Sequence, residues 1–148
     1  MMPAEVSGTD PDITPAQAAD LMQDNSFRDA VLGVCALVSS ADRAGDPDER
    51  SRVAERIGTA PVLHHFPPLE LRNLFEDNWH RLVLDPAFGR AYVFQEVAKA
   101  TAEPRAARAA VRVGLQIAAP GGGVGARGEA VLRECCRVLR LTPAECGL

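Results

Sequence analysis

Nothing in this chain reads as a β-strand. Alternation of apolar and polar side chains never persists, and β-branched residues are scattered through Ala- and Arg-rich stretches. Long apolar runs are missing as well. Ala30–Val38 and Val113–Ala119 fall well short of the roughly 20 residues needed to span a bilayer, which excludes a transmembrane helix. The acidic stretch Met1 to Asp12 has no basic-then-apolar signal segment, so residence in the cytoplasm is expected. Lysine is nearly absent: Lys99 stands alone beside fifteen Arg, and with 24 Ala this bias reflects genomic composition rather than chemistry. A net charge of −4 leaves no cationic excess for a phosphate backbone and excludes nucleic-acid binding as the main task. Four cysteines (Cys35, Cys135, Cys136 and Cys146) do not make a disulfide framework in 148 residues.

What is present is helical spacing, in a chain 47% hydrophobic and 24% charged that can bury the core of one ordinary domain. Residues 1–13 read as a flexible tail and residues 14–148 as a helical domain. Thr14-Pro15 supplies an N-cap and a first-turn proline for a short helix to about Asp24. Ser26 to Ala41 carries apolar residues around so much of its circumference that it reads as a central, buried helix. Asp46-Pro47-Asp48-Glu49 opens a helix to about Ile57. Leu69 to Leu84 forms another, with Leu71, Leu74, Phe75, Trp79 and Leu82 inward. Asp85-Pro86 caps a helix whose inward candidates are Phe88, Tyr92, Val93, Phe94 and Val97. A helix from Pro104 to about Ala119, one after the glycine loop to about Leu139, and a last turn at Thr142-Pro143 complete an all-α bundle of about seven helices.

Self-comparison shows a repeat at an offset of 79 residues, laying Val34–Asp42 over Val113–Gly121 and Val53, Glu55 and Ile57 over Leu132, Glu134 and Cys136. Each unit is a buried helix, a loop and an amphipathic helix, so two pseudo-symmetric helix–loop–helix repeats around one core are expected. The loops differ. The first holds Asp42, Asp46, Asp48 and Glu49; in the second these positions are Gly121, Gly125, Arg127 and Gly128. Five of the chain's 12 glycines fall between Gly121 and Gly128.

The pattern Val34–Asp42 followed by Pro47-Asp48-Glu49-Arg50 resembles the first acidic loop of the tellurite-resistance protein TerB family. So do the stretch Phe66-Pro67-Pro68-Leu69-Glu70-Leu71-Arg72-Asn73-Leu74-Phe75 and the C-terminal run Glu129–Leu141 with Pro143–Leu148. The resemblance covers about residues 26–148. It implies an all-helical domain with pseudo-two-fold symmetry and membership of a bacterial stress-response system; the expected protein is non-enzymatic and acts through other proteins of a stress-response complex. It also implies a divalent-metal site drawn from an Asp and a Glu seven residues on in each half. Asp42 and Glu49 match the first half, although Arg43 replaces the usual Gly; Gly121 and Gly128 occupy the second.

Two readings of the acidic loop stand side by side. Asp42, Asp46, Asp48 and Glu49 can offer Ca²⁺ or Mg²⁺ the oxygen ligands a hard cation wants, though the spacing is not that of an EF-hand. Equally, Asp46 as N-cap, Pro47 at the first position and Glu49 at the third make a capping box. The second reading is a metal-independent interaction module with a decayed site. Gly123-Val124-Gly125-Ala126-Arg127-Gly128 spells a dinucleotide-binding pattern, but a helix precedes it where a strand is required. His64, His65 and His80 lack a Cys or acid at zinc-like spacing. Cys35 and Cys136 read as small buried hydrophobes, and Cys146 as the most reactive thiol. No catalytic triad or carboxylate pair is visible, which leaves an enzyme with a cryptic site as a third reading.

Overall fold

The computed structural model describes residues 20–41 and 46–148. The tail at 1–13 and the helix start at Thr14-Pro15 lie outside the described residues. A helical turn runs from Asp20 to Met22. Asp24 then accepts a hydrogen bond from the Ser26 amide at 2.8 Å and starts the main bundle. Among the described residues six α-helices follow: α1 (Asn25–Ala41), α2 (Pro47–Thr59), α3 (Pro68–Leu84), α4 (Pro86–Ala98), α5 (Pro104–Ala118) and α6 (Ala126–Val138). Single 3₁₀ turns at Pro61–Leu63 and Pro143–Cys146 complete the set, and no strand occurs among the described residues. Each of α2 to α5 begins with proline at its first position, where the missing amide hydrogen costs nothing. No helix among the described residues is long and apolar enough to cross a membrane.

Helix α1 is the axis of the molecule. Phe27 and every residue from Asp29 to Ser40 are buried, because α3, α4, α5 and α6 surround it. Burial of each large side chain, among them Phe27, Val31, Leu32, Val34 and Leu37, contributes about 1.5–3 kcal/mol. The most extensive packing is between α1 and α5, whose buried face is mostly small: Ala106, Ala107, Ala110, Val111, Gly114, Ile117 and Ala118. At their crossing a Cβ on Gly114 would stand 2.7 Å from both Cβ and Cγ1 of Val34, and 3.2 Å from the Val31 carbonyl oxygen. The Cys35 thiol donates to the Gly114 carbonyl at 3.5 Å. Burial pushes that thiol far above its ordinary pKa, so it sits in the core as a small neutral donor.

One residue, Asp85, connects α3 to α4, and its carboxylate accepts from the Phe88 amide at 3.2 Å. Gly89 is then pressed so close to α3 that a Cβ would lie 2.3 Å from the Arg81 carbonyl oxygen. This close approach corrects one sequence expectation. Gly89, Val93 and Val97 hold the inward stripe, so Phe88 is rotated outward and is 66% exposed. Tyr92 and Phe94 are half-buried.

The cysteine expectation is corrected as well. Cys136 and Cys146 form a disulfide, so Cys146 is not a reactive thiol and Cys136 is more than a small buried hydrophobe. The cause is the way α6 stops. Leu141 donates its amide to the Cys136 carbonyl at 2.8 Å and Arg140 to that of Arg137 at 3.1 Å, with Arg140 left-handed at φ 60°. This double-bonded helix terminus reverses the chain without the usual glycine. The Thr142–Glu145 capping box then winds Pro143–Cys146 back over α6, and Arg108 of α5 pairs with Glu145 at 3.3 Å. Counting cysteines cannot reveal a pairing that depends on this reversal.

Two outcomes follow from this packing. Gly114→Ala forces a methyl group into Val34 and should lower unfolding stability by about 1–3 kcal/mol, read from denaturant midpoints; an unchanged midpoint refutes the tight crossing. The disulfide closes a loop with a sequence separation of 10, for which chain entropy gives about 3 kcal/mol. Reductant should therefore lower the melting temperature of the native chain and leave that of Cys146→Ser unmoved. Equal responses of the two proteins to reductant would contradict the bond.

Candidate functional site

The end of α1, the start of α2, the end of α5 and the glycine loop surround a cleft of about 450 Å³. Val38 and Ser39 come from the end of α1, Glu49 and Arg52 from the start of α2, Ala118 and Ala119 from the end of α5, and Gly123, Val124 and Gly125 from the glycine loop. Ser39 adds no free hydroxyl to the cleft's chemistry, because it donates to the Cys35 carbonyl at 2.5 Å.

Of the four acidic residues expected to act together, Asp42 lies outside the described residues. Asp46 is the N-cap of α2: its Oδ1 accepts from the amides of Asp48 at 2.9 Å and Glu49 at 3.4 Å. The extended backbone of Asp46 and Pro47 at the first position are the conditions for such a cap. Asp48 is exposed in the first turn, where its charge complements the helix dipole. Glu49 is half-buried and accepts from Arg52 at 3.1 Å, one turn along the helix. No group of three or more His, Cys, Asp or Glu side chains that could hold a metal ion is gathered among the described residues.

Sequence reasoning missed Arg52 and Arg56. Arg56 donates through Nε to the Ile117 carbonyl at 2.7 Å and through Nη2 to that of Ala118 at 3.5 Å. It thus satisfies carbonyls at the end of α5 and ties α2 to that helix, at a terminus whose dipole favours a cation. The only available signal was an arginine within an otherwise amphipathic helix, and which carbonyls it meets depends on the fold. The opposite wall is plainer. Gly125 is the N-cap of α6 and has no side chain to cap with, whereas Asp46 does so at the start of α2. Both α1 and α5, and both α2 and α6, begin 79 residues apart, the same offset that aligns the sequence. Cys35 and Gly114, aligned by that offset, meet at the centre of the bundle.

The histidines are dispersed. His64 Nδ1 lies 2.8 Å from the Pro61 carbonyl oxygen, its ring stacks on His65 at 3.9 Å, and His80 faces Arg50 at 3.5 Å. A second polar cluster lies elsewhere, around Asp29, an acid inside the most buried helix. Asp29 is 8% exposed, and its carboxylate takes Arg28 on one oxygen and Lys99 on the other, each at 2.9 Å. The hydrogen bond that Lys99 donates to Asp29 holds its ammonium above the ordinary lysine range, against the opposing effect of burial.

The geometry at Asp46 has a direct consequence. Asp46→Ala removes the acceptor for two first-turn amides and should cost about 1 kcal/mol, measured by denaturant unfolding. A midpoint indistinguishable from that of the parent chain would show that the cap is not used.

Two comparisons bear on identity. No curated protein and no solved structure matches the chain. A family model does: that of tellurite resistance protein TerB matches residues 28–148, which takes in all of the cleft and most of the described bundle. Together with the all-helical fold, this match establishes that the chain belongs to the TerB family.

Proposed function

We propose that this chain is a non-enzymatic, cytoplasmic protein of a tellurite-linked stress response that acts through protein partners. Its first loop, with Asp42, Asp46, Asp48 and Glu49, offers a divalent cation, Ca²⁺ or Mg²⁺, a single weak site. The family match over residues 28–148 carries this reading. Support for a one-sided site comes from the cleft, where Glu49 lines one wall and Gly123 and Gly125 line the other. A hard cation held by a few carboxylates from one loop, without ligands from the second, binds in the weak range.

A metal-independent interaction module is the second reading, and a specific observation favours it. Asp46 Oδ1 is already shared by two backbone amides, and Glu49 is paired with Arg52. A cation would have to compete for both carboxylates. Under either reading the repeated helix–loop–helix units are a scaffold for recognition.

Thermal melts separate the two. With Ca²⁺, Mg²⁺, Mn²⁺ or Zn²⁺ at ten times Kd, a bound ion stabilises by about 1.4 kcal/mol and raises Tm by roughly 3–6 °C. The metal reading expects this rise with Ca²⁺ or Mg²⁺ and its loss in Asp42→Ala. No shift with any of the ions at millimolar concentration leaves the metal-independent module.

A further inference from the structure

The four cysteines divide into one bonded pair, Cys136 with Cys146, and two free thiols, Cys35 and Cys135. Both free thiols are buried. Burial pushes the Cys135 thiol up to about 12, so at neutral pH it stays protonated and offers no thiolate to attack the bond beside it. Cys35 is held neutral in the same way at the α1–α5 crossing. The disulfide is therefore an isolated couple that no thiolate of the chain reshuffles.

Its two ends differ. Cys136 belongs to α6 and is 1% exposed, whereas Cys146 is half-buried on the Pro143–Cys146 turn. An incoming thiolate reaches the sulfur on the exposed side, that of Cys146, and the Cys136 sulfur leaves. The turn itself adds little to the core. None of its residues is buried, and Cys146 and Leu148 pack only against the core's edge. The Arg108–Glu145 pair that ties the turn to α5 lies at the surface, where such pairs contribute little. The bundle is complete without the turn, so the bond can open while the fold stays.

The geometry also favours closing again. Thr142 and Glu145 exchange hydrogen bonds at 2.8 and 3.2 Å, and Leu148 donates to the Pro143 carbonyl at 2.8 Å. Leu141, just before the turn, is held by the Cys136 carbonyl itself. None of these bonds involves sulfur. They keep the two thiols of the reduced chain close together, at a high effective concentration for one another.

We propose that Cys136 and Cys146 are a reversible thiol–disulfide couple, a redox modification site that clasps Pro143–Leu148 onto α5 and α6 and releases it to low-molecular-weight thiols. In the opening step a thiolate, RS⁻, attacks Cys146 Sγ; a bond between the two forms as the Cys146–Cys136 bond breaks, and Cys136 takes up a proton. A second RS⁻ attacks the RS sulfur of this mixed disulfide, RSSR leaves, and Cys146 takes up the other proton. Two RSH are oxidised to one RSSR while the protein disulfide is reduced to two thiols, and RSSR drives the reverse. The supply of thiols rests on the cytoplasmic reading above, in a compartment whose disulfides are mostly transient or redox-sensing.

The test incubates the full, oxidised chain in millimolar reduced glutathione without denaturant, then traps thiols with a maleimide in denaturant and counts the labels by mass. The count is expected to rise from the two free cysteines to all four. In ¹⁵N spectra the amide signals of Glu145, Gly147 and Leu148 should shift and lose their heteronuclear NOE, while those of α1 and α3 stay in place. Oxidised glutathione should restore both readouts. With the partner removed, Cys136→Ser should gain a glutathione at Cys146 about tenfold faster than Cys146→Ser gains one at Cys136. A bond that opens only in denaturant overturns the couple. Signals of the turn that do not move on reduction, or signals of α1 and α3 that move with them, overturn the clasp, and equal adduct rates overturn attack at Cys146. The purified chain in a defined buffer reports on the couple whatever its compartment, so a chain found outside the cytoplasm leaves this result standing, and a bond that stays closed leaves the cation melts untouched.

Discussion

The close crossing of α1 and α5 at Gly114 is the constraint on which the rest of the structure depends. A missing side chain there lets Val34 and Cys35 sit against backbone, and α1 can be enclosed on all sides only because α5 comes this near. Enclosure in turn requires that almost every residue of α1 be apolar or internally satisfied. Ser39 meets this demand by donating to the preceding turn, and Asp29 by taking two cations. The crossing also fixes where the ends of the two helices lie, and hence where the cleft opens.

The charged groups at that cleft already serve the fold. Asp46 spends its carboxylate on the first turn of α2, Glu49 on Arg52, and Arg56 on the end of α5. These are strong local uses of charge, since amides and carbonyls at helix ends lack partners within the helix. A ligand at the first loop therefore meets a preformed network rather than free acids. The glycine loop opposite provides backbone and little else, in keeping with a site that works from one side.

Much of this was legible in residue order. Proline after Asp46, Asp85 and Thr142 marked true element starts, because a fixed φ and a missing amide suit only the first turn. The unbroken apolar run of α1 announced a central helix, and the acid-to-glycine change between loops announced the asymmetry of the cleft. Phe88 was misread because its apolarity matched the inward stripe, while Gly89, with no hydrophobic signal, took that place. The Cys136–Cys146 bond was missed because it needs a chain reversal at Arg140, a residue with no preference for the left-handed conformation it adopts. Arg52 and Arg56 were passed over for a similar reason: a polar residue in an amphipathic helix looks like solvent-facing surface until its neighbours are known.

The sequence by itself determined the helical class, the element starts and the family, because periodicity, capping and motif spacing are local properties of the chain. Tertiary structure alone decided which side chains share a space: Glu49 with the glycine loop, Arg56 with the end of α5, and Asp77 with Asn78 and Tyr92. The physical reason is that helix packing brings together residues far apart in sequence. Their charge balance and burial, which set what they can bind, do not exist until the helices meet.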